Sequence, residues 1–197
     1  KAPQVGRHAW VVSLDLNSLY PHLMMQYNIS PETIVDRRTA NVSVEKCLAK
    51  QRPESILPDH SIAANGVHFR KDIRGVIPMI IDGLYAERKV IKKNMLGTEQ
   101  NINDIKNHTP NEESKKELNE LEISHTTLNS QQMAIKIMMN SLYGSMANRW
   151  FRYYDVRLAE AITLSGQLSI RWAEKAVNDY MNNLLATKDY DYVIAID

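Results

Sequence analysis

The sequence predicts an α+β fold in which two strand-bearing ends flank a helical middle. Three observations carry that expectation. Apolar, β-branched runs stand near both ends, Ala9-Trp10-Val11-Val12-Ser13-Leu14-Asp15 and Tyr192-Val193-Ile194-Ala195-Ile196-Asp197, and each ends on an aspartate. Asn65-Gly66, between Ser61-Ile62-Ala63-Ala64 and Val67-His68-Phe69, is a two-residue hairpin signal and implies antiparallel pairing. The residues between about 78 and 185 repeat apolar positions at helical spacing.

Taken in order, the first run reads as a buried strand. Leu16 to Pro21 then forms a tight turn, followed by an apolar stretch from His22 to Tyr27. Gly75 and Pro78 close the hairpin segment. A helix begins near Pro78, with Ile80, Ile81, Leu84, Tyr85 and Ile91 on its apolar side and Arg88, Lys89, Lys92 and Lys93 as a basic stripe. Residues 97 to 109 are polar and predict a break. Thr109-Pro110-Asn111-Glu112 supplies an N-cap, a proline at the first helical position and a glutamate at the third. That charged helix should run to about Glu122, another from Ser130 to Leu142, and a long one from Arg157 to about Leu185. On the last, Leu158, Ile162, Leu168, Trp172, Ala176 and Tyr180 are the expected buried positions. The last run, ending at Asp197, reads as a second buried strand. Domains rarely end on a central strand, so the chain is expected to be part of a larger protein. The helical middle is expected to project as its own lobe.

The bulk properties narrow the function. The chain has 197 residues, 44% hydrophobic and 24% charged, with a formal net charge of +1. That balance excludes a wholly basic protein, so any nucleic-acid contact must rest on local clusters. The single cysteine, Cys47, cannot form an internal disulfide and suits a reducing cytoplasm. No long apolar span predicts a membrane helix. His8, His22, His60, His68, His108 and His125 lack metal-ligand spacing and receive no catalytic role. No GxGxxG, Walker, CxxC or HExxH motif occurs.

Three constellations carry chemistry. If the two terminal runs lie side by side, Asp15 and Asp197 reach one rim of a sheet, where carboxylates hold Mg²⁺ for phosphoryl chemistry. The turn after Asp15 would expose successive N–H groups, a nest for phosphate oxygens. Lys136, Asn140 and Tyr143 stand at i, i+4 and i+7 on one helix face, closed by Gly144 as a C-cap. Arg88 and Lys92 are one turn apart, although such a stripe is most often a wet helix face.

Together these residues resemble family B DNA polymerases of the T-even phage type. Asp15-Leu16-Asn17-Ser18-Leu19-Tyr20-Pro21 resembles the family's motif A, D-x-x-S-L-Y-P. Lys136 to Gly144 resembles motif B, K-x-x-x-N-S-x-Y-G, and Tyr192 to Asp197 the start of motif C, Y-G-D-T-D-S. Asn28 to Ile34 and Trp150 to Asp155 resemble the phage type in particular. His22 stands where the family usually has serine, and Ile196 where motif C usually has glycine.

The resemblance implies a partial polymerase palm at residues 1–78 and 144–197, with an antiparallel sheet, and an inserted fingers lobe at 79–143. It implies DNA-templated DNA synthesis by nucleotidyl transfer from a dNTP to a primer 3′-hydroxyl, in the host cytoplasm. Asp15, Asp197 and Lys136 would be catalytic. Asp15, the Leu16 carbonyl and Asp197 would hold two Mg²⁺ ions, for which Mn²⁺ can substitute. Ser18 and Leu19 would cradle the triphosphate, and Tyr20 would lie under the deoxyribose and exclude a 2′-hydroxyl. Arg88, Lys92, Lys136 and Asn140 would bind the phosphates, and Tyr143 and Gly144 would pack on the nascent base pair. The implied partners are primer-template DNA, dNTP, a C-terminal polymerase piece carrying the rest of motif C and the thumb, and a sliding clamp reached through that piece. Without the second motif C aspartate the chain alone is expected to be inactive. The alternatives are a non-catalytic dNTP- or DNA-binding fragment and an RNA-synthesising or reverse-transcribing palm. Tyr20 argues against an enzyme that uses ribonucleotides, and motif B argues for family B.

Overall fold

The computed structural model describes residues 1–51, 53, 57–107 and 112–196. The predicted N-cap at Thr109-Pro110-Asn111 and the expected site residue Asp197 lie outside them. Helix α1 (Leu19–Tyr27) leads to β1 (Ile34–Arg38) and the short α2 (Val44–Leu48). Strands β2 (His60–Ile62) and β3 (Val67–Arg70) follow. Three long helices complete the fold: α3 (Val76–Asn107), α4 (Glu112–Met146) and α5 (Val156–Leu184). This is a mixed α and β fold with a small antiparallel sheet ordered β1-β3-β2. No described helix is long and apolar enough to cross a membrane.

The hairpin forms, but with three loop residues, Ala64, Asn65 and Gly66, rather than the expected two: Ala63 pairs with Val67, Gly66 N–H donates to the Ala63 carbonyl at 2.8 Å, and only Gly66 of the three is left-handed. Ser61 faces Phe69 and Ile62 faces His68, and Ala63 donates to the Val67 carbonyl at 3.0 Å. Gly66 has φ +81°, and a Cβ there would stand 2.6 Å from the Thr39 carbonyl oxygen, so only glycine fits this turn.

The terminal runs depart from expectation. Residues 9–15 and 192–196 form no ladder, and the sheet lies elsewhere. The end segments do approach: Gln4 N–H donates to the Ile194 carbonyl at 2.8 Å, and the Lys1 ammonium to the Val193 carbonyl at 2.6 Å. One backbone bond does not satisfy a strand, whose N–H and C=O groups all need partners. Nor does any layer cover the first run, where Val12 and Leu14 are each 78% exposed.

The helices also outrun the sequence reading. The polar residues 97–107 continue α3, because Ile102 is buried and Lys106 pairs with Glu122 of α4 at 2.8 Å. Helix α4 is continuous where two helices were expected. Its middle is rich in poor helix formers, but the hydroxyls of Thr126, Thr127 and Ser130 donate to carbonyls four residues earlier at 2.8–3.0 Å. Packing along α3 supplies what propensity does not. Helix α4 also runs past Gly144, which is no C-cap here, to the fully buried Met146. On α5 the buried positions are Leu158, Ala161, Ile162, Ser165 and Gly166. Trp172 and Tyr180, expected inside, are 63% and 65% exposed, because the core touches only the first part of the helix.

The core gathers Met24, Ile29, Val67, Phe69, Ile77, Ile81, Ile135, Met139, Leu158 and Ile162. It therefore joins α1, the sheet and all three long helices. Asn28 locks one corner. It closes α1 in the left-handed conformation (φ 58°), which asparagine tolerates. Its amide donates to the Arg70 and Ile73 carbonyls at 2.6 and 2.7 Å, and its side-chain oxygen accepts from Gly75 N–H at 2.8 Å. Glu32 accepts from Val76 N–H at the start of α3, where a carboxylate also complements the helix dipole.

Replacing Asn28 by alanine leaves two carbonyls and one N–H without partners in a buried place. Urea unfolding of Asn28→Ala should register a loss of about 2–4 kcal/mol. An unchanged midpoint would show that this corner is not structural.

His68 makes a second prediction. It is fully buried, its Nε2 lies 2.6 Å from Thr39 Oγ1, and its Nδ1 has no partner among the described residues. Burial first, then the charges of Arg37 and His60, pull its pKa below the ordinary 6.5. The unfolded chain thus binds the proton more readily than the fold does. The stability due to neutral His68 is complete above the unfolded value of 6.5 and falls as pH drops through it, levelling once the folded ring itself protonates. Urea midpoints should fall between about pH 7.5 and about pH 5.5, and fall less in His68→Gln.

Candidate nucleotide site

The site is built where the turn after Asp15 meets the root of the α3–α4 hairpin. Asp15 is exposed and Leu16 is 47% exposed, both outside any strand. Ser18, preceding α1, adopts the left-handed conformation at φ 55° and ψ 45°. Its carbonyl accepts from His22 N–H at 3.1 Å and from His22 Nδ1 at 2.9 Å. Pro21 falls in the first turn of α1, where an N–H would have no helical partner.

Tyr20 and Leu19 head α1. The Tyr20 ring lies 4.7 Å from that of Tyr143 on α4, tilted by 48°. Burial, with Tyr20 beside it, raises the Tyr143 pKa above the usual phenol value. On its other side Tyr20 meets α5: a Cβ added to Gly166 would stand 3.0 Å from Tyr20 Cε1. A glycine here lets the helix backbone approach the ring, so the contact needs no left-handed torsion.

A cavity of about 360 Å³ opens beside this turn, lined by Asn17, Tyr85, Arg88, Lys89, Lys92, Lys93 and Leu96. Four cations therefore share one wall with a residue of the turn. Arg88 is only 9% exposed. Its Nη2 donates to Gln132 Oε1 on α4 at 3.2 Å, and its Nε has no partner among the described residues. A buried guanidinium held by a neutral amide, with a donor to spare, favours an anion.

The structure thus brings Arg88 and Lys92 together with Asn17, and Tyr20 with Tyr143. Lys136 and Asn140 lie exposed on α4 and are not among the residues lining the cavity. Arg88 instead reaches α4 one turn before Lys136, at Gln132. Gly144 is exposed, with open space where a Cβ would be. Among the described residues no group of three His, Cys, Asp or Glu could hold a metal ion. Asp15 offers one carboxylate and Leu16 one carbonyl, and Mg²⁺ would draw its remaining ligands from substrate and water.

Sequence reading missed Gln132, Tyr85 and Gly166. Gln132 stands four residues before Lys136, and Lys89 and Lys93 belong to the same basic stripe as Arg88 and Lys92. Gln132 was legible as a neighbour of Lys136, and Tyr85, read only as apolar packing, as a neighbour of the stripe. The contact of Gly166 with Tyr20 was not, since 146 positions separate them (166 − 20).

Comparison with known proteins identifies the family. The family model described as DNA polymerase family B matches residues 2–194. The DNA-directed DNA polymerase of Escherichia phage RB69 is 33% identical over 98% of the chain, and that of Enterobacteria phage T4 is 32% identical over 99%. The chain spans 25% of the length of each. A solved family B DNA polymerase from the archaeon Pyrobaculum calidifontis is 26% identical, with a TM-score of 0.47, over 85% of this chain and 17% of that one. Matched by the family model over nearly its whole length, and ordered so that its D-x-x-S-L-Y-P turn meets its KIMMNSLYG helix, this chain belongs to DNA polymerase family B.

Proposed function

We propose that this chain is the nucleotide-handling part of a phage-type replicative DNA polymerase. In that reading residues 1–78 and 144–197 belong to the palm and 79–143 to the fingers. A primer 3′-hydroxyl attacks the α-phosphate of a bound dNTP, and pyrophosphate leaves. The observation that carries the reading is Arg88: a nearly buried cation with a spare donor on a cavity wall it shares with Lys92 and Asn17. A triphosphate of charge about −4 needs several cations in one place. Arg88 and Lys92 would receive it, Lys136 and Asn140 would join from α4, and the amides of Ser18 and Leu19 would cradle its oxygens. Tyr20, held between Tyr143 and Gly166, would lie under the sugar. Tyr143 and Gly144 would meet the nascent base pair of a primer-template.

Mg²⁺, when bound, would stabilise the attacking and leaving oxygens, with Asp15, the Leu16 carbonyl and Asp197 as its positions on this chain. In this reading the chain binds nucleotide but does not extend a primer alone. Completion would come from a C-terminal polymerase piece with the rest of motif C and the thumb, and a sliding clamp would act through that piece. The work would be done in the host cytoplasm.

Calorimetric titration of dATP into the chain tests the site. Binding should weaken about tenfold or more in Arg88→Ala, the value of one or two charge-assisted hydrogen bonds. Equal affinity in wild type and variant would remove Arg88 and the cavity from nucleotide binding.

Sugar selection is read in an assembled polymerase. Tyr20→Ala should raise ribonucleotide incorporation far more than it lowers dNTP use. Unchanged discrimination would take that role from Tyr20.

A further inference from the structure

We propose that His22 is a positioning residue that holds the Ser18 turn open to phosphate and ties it to the cationic helix α3. The inference rests on the nucleotide reading above and names how the turn keeps its shape. Ser18 sits at φ 55°, a conformation a serine keeps only where its surroundings hold it. Its side chain does not cap α1; its hydroxyl donates instead to Asn17 Oδ1 at 3.3 Å. The restraint comes from His22. One residue gives the Ser18 carbonyl both of its hydrogen bonds, from backbone N–H at 3.1 Å and from ring Nδ1 at 2.9 Å. Since the partner is a carbonyl, Nδ1 carries the proton. A carbonyl pinned toward α1 turns the peptide's opposite face, with its N–H groups, away from the helix.

The same ring reaches the other wall of the cavity. Its centroid lies 4.7 Å from that of Tyr85, at 82°, an edge-to-face contact. Tyr85 lines the cavity together with Asn17, Arg88 and Lys92. His22 therefore touches both the turn and the helix that carries the cations, and a shift of one against the other must move through this ring. His22 itself is not among the residues lining the cavity.

Asparagine is the informative replacement. Its Nδ2 lies as many bonds from Cα as His Nδ1 does, so His22→Asn keeps the donor and discards the ring. His22→Ala and His22→Leu discard both. Two measurements apply to the whole chain: peptide-level hydrogen exchange over residues 17–24 without ligand, and calorimetric titration with inorganic tripolyphosphate. In His22→Ala and His22→Leu, exchange over the turn should speed up and tripolyphosphate affinity fall about tenfold, while the melting midpoint stays within a few degrees of wild type. His22→Asn should recover slow exchange and most of the affinity. Exchange in His22→Ala as slow as wild type overturns the proposal. So does equal loss in His22→Asn and His22→Ala, which would mean that the donor at Nδ1 is not what matters. Should wild type fail to bind tripolyphosphate while exchange follows the predicted pattern, the latch stands and the nucleotide reading falls.

Discussion

The hydrogen bonds of Asn28 fix where α3 leaves the sheet, and the rest of the site depends on that exit. One side chain joins the end of α1, the last residue of β3 and the turn into α3. Glu32 and Ser30 add bonds to the first amides of α3. A 32-residue helix is a long lever, so a small change at this root would carry the face bearing Arg88 and Lys92 away from the turn at Asn17. Three buried polar groups answered by one amide set the direction of a charged surface.

From that root, two contacts bring distant sequence together. Arg88 is linked to α4 through Gln132, and Tyr20 is held between Tyr143 of α4 and the bare backbone of α5 at Gly166. Neither contact is strongly stabilising in itself. An arginine bonded to a neutral amide is poorly compensated, and Tyr20 keeps part of its surface exposed. The first leaves a cation on the cavity wall, as a site that must accept a charged ligand requires.

Much of this was legible in the sequence. The hairpin followed from Asn65-Gly66, because the left-handed position at Gly66 has few residues to choose from, although the loop is one residue longer than that pair suggests. The helical middle followed from periodicity, and the basic wall from a stripe at i and i+4. What misled was propensity taken alone. Two helices were expected with a gap between Glu122 and Ser130, yet the hydroxyls of Thr126 and Thr127 bond within one continuous helix and α3 supports it along its length. The apolar run at Val11 and Val12 argued for a buried strand, yet burial needs a covering layer that no local pattern reports. Trp172 and Tyr180 kept helical spacing but lie beyond the reach of the core. His22 looked chemically idle because its partner is a backbone carbonyl, which a sequence does not display. Asp197, on which the two-carboxylate reading leaned, lies outside the described residues.

The central claim is that the cavity between the Ser18 turn and the basic face of α3 receives a triphosphate. A crystal structure of the chain with dATP tests it most directly. The account predicts phosphate oxygens within hydrogen-bonding distance of Arg88 Nε, with Lys92 beside them and the Ser18 or Leu19 amide on the opposite side. A triphosphate bound on another face, with Arg88 still held by Gln132 alone, would contradict it.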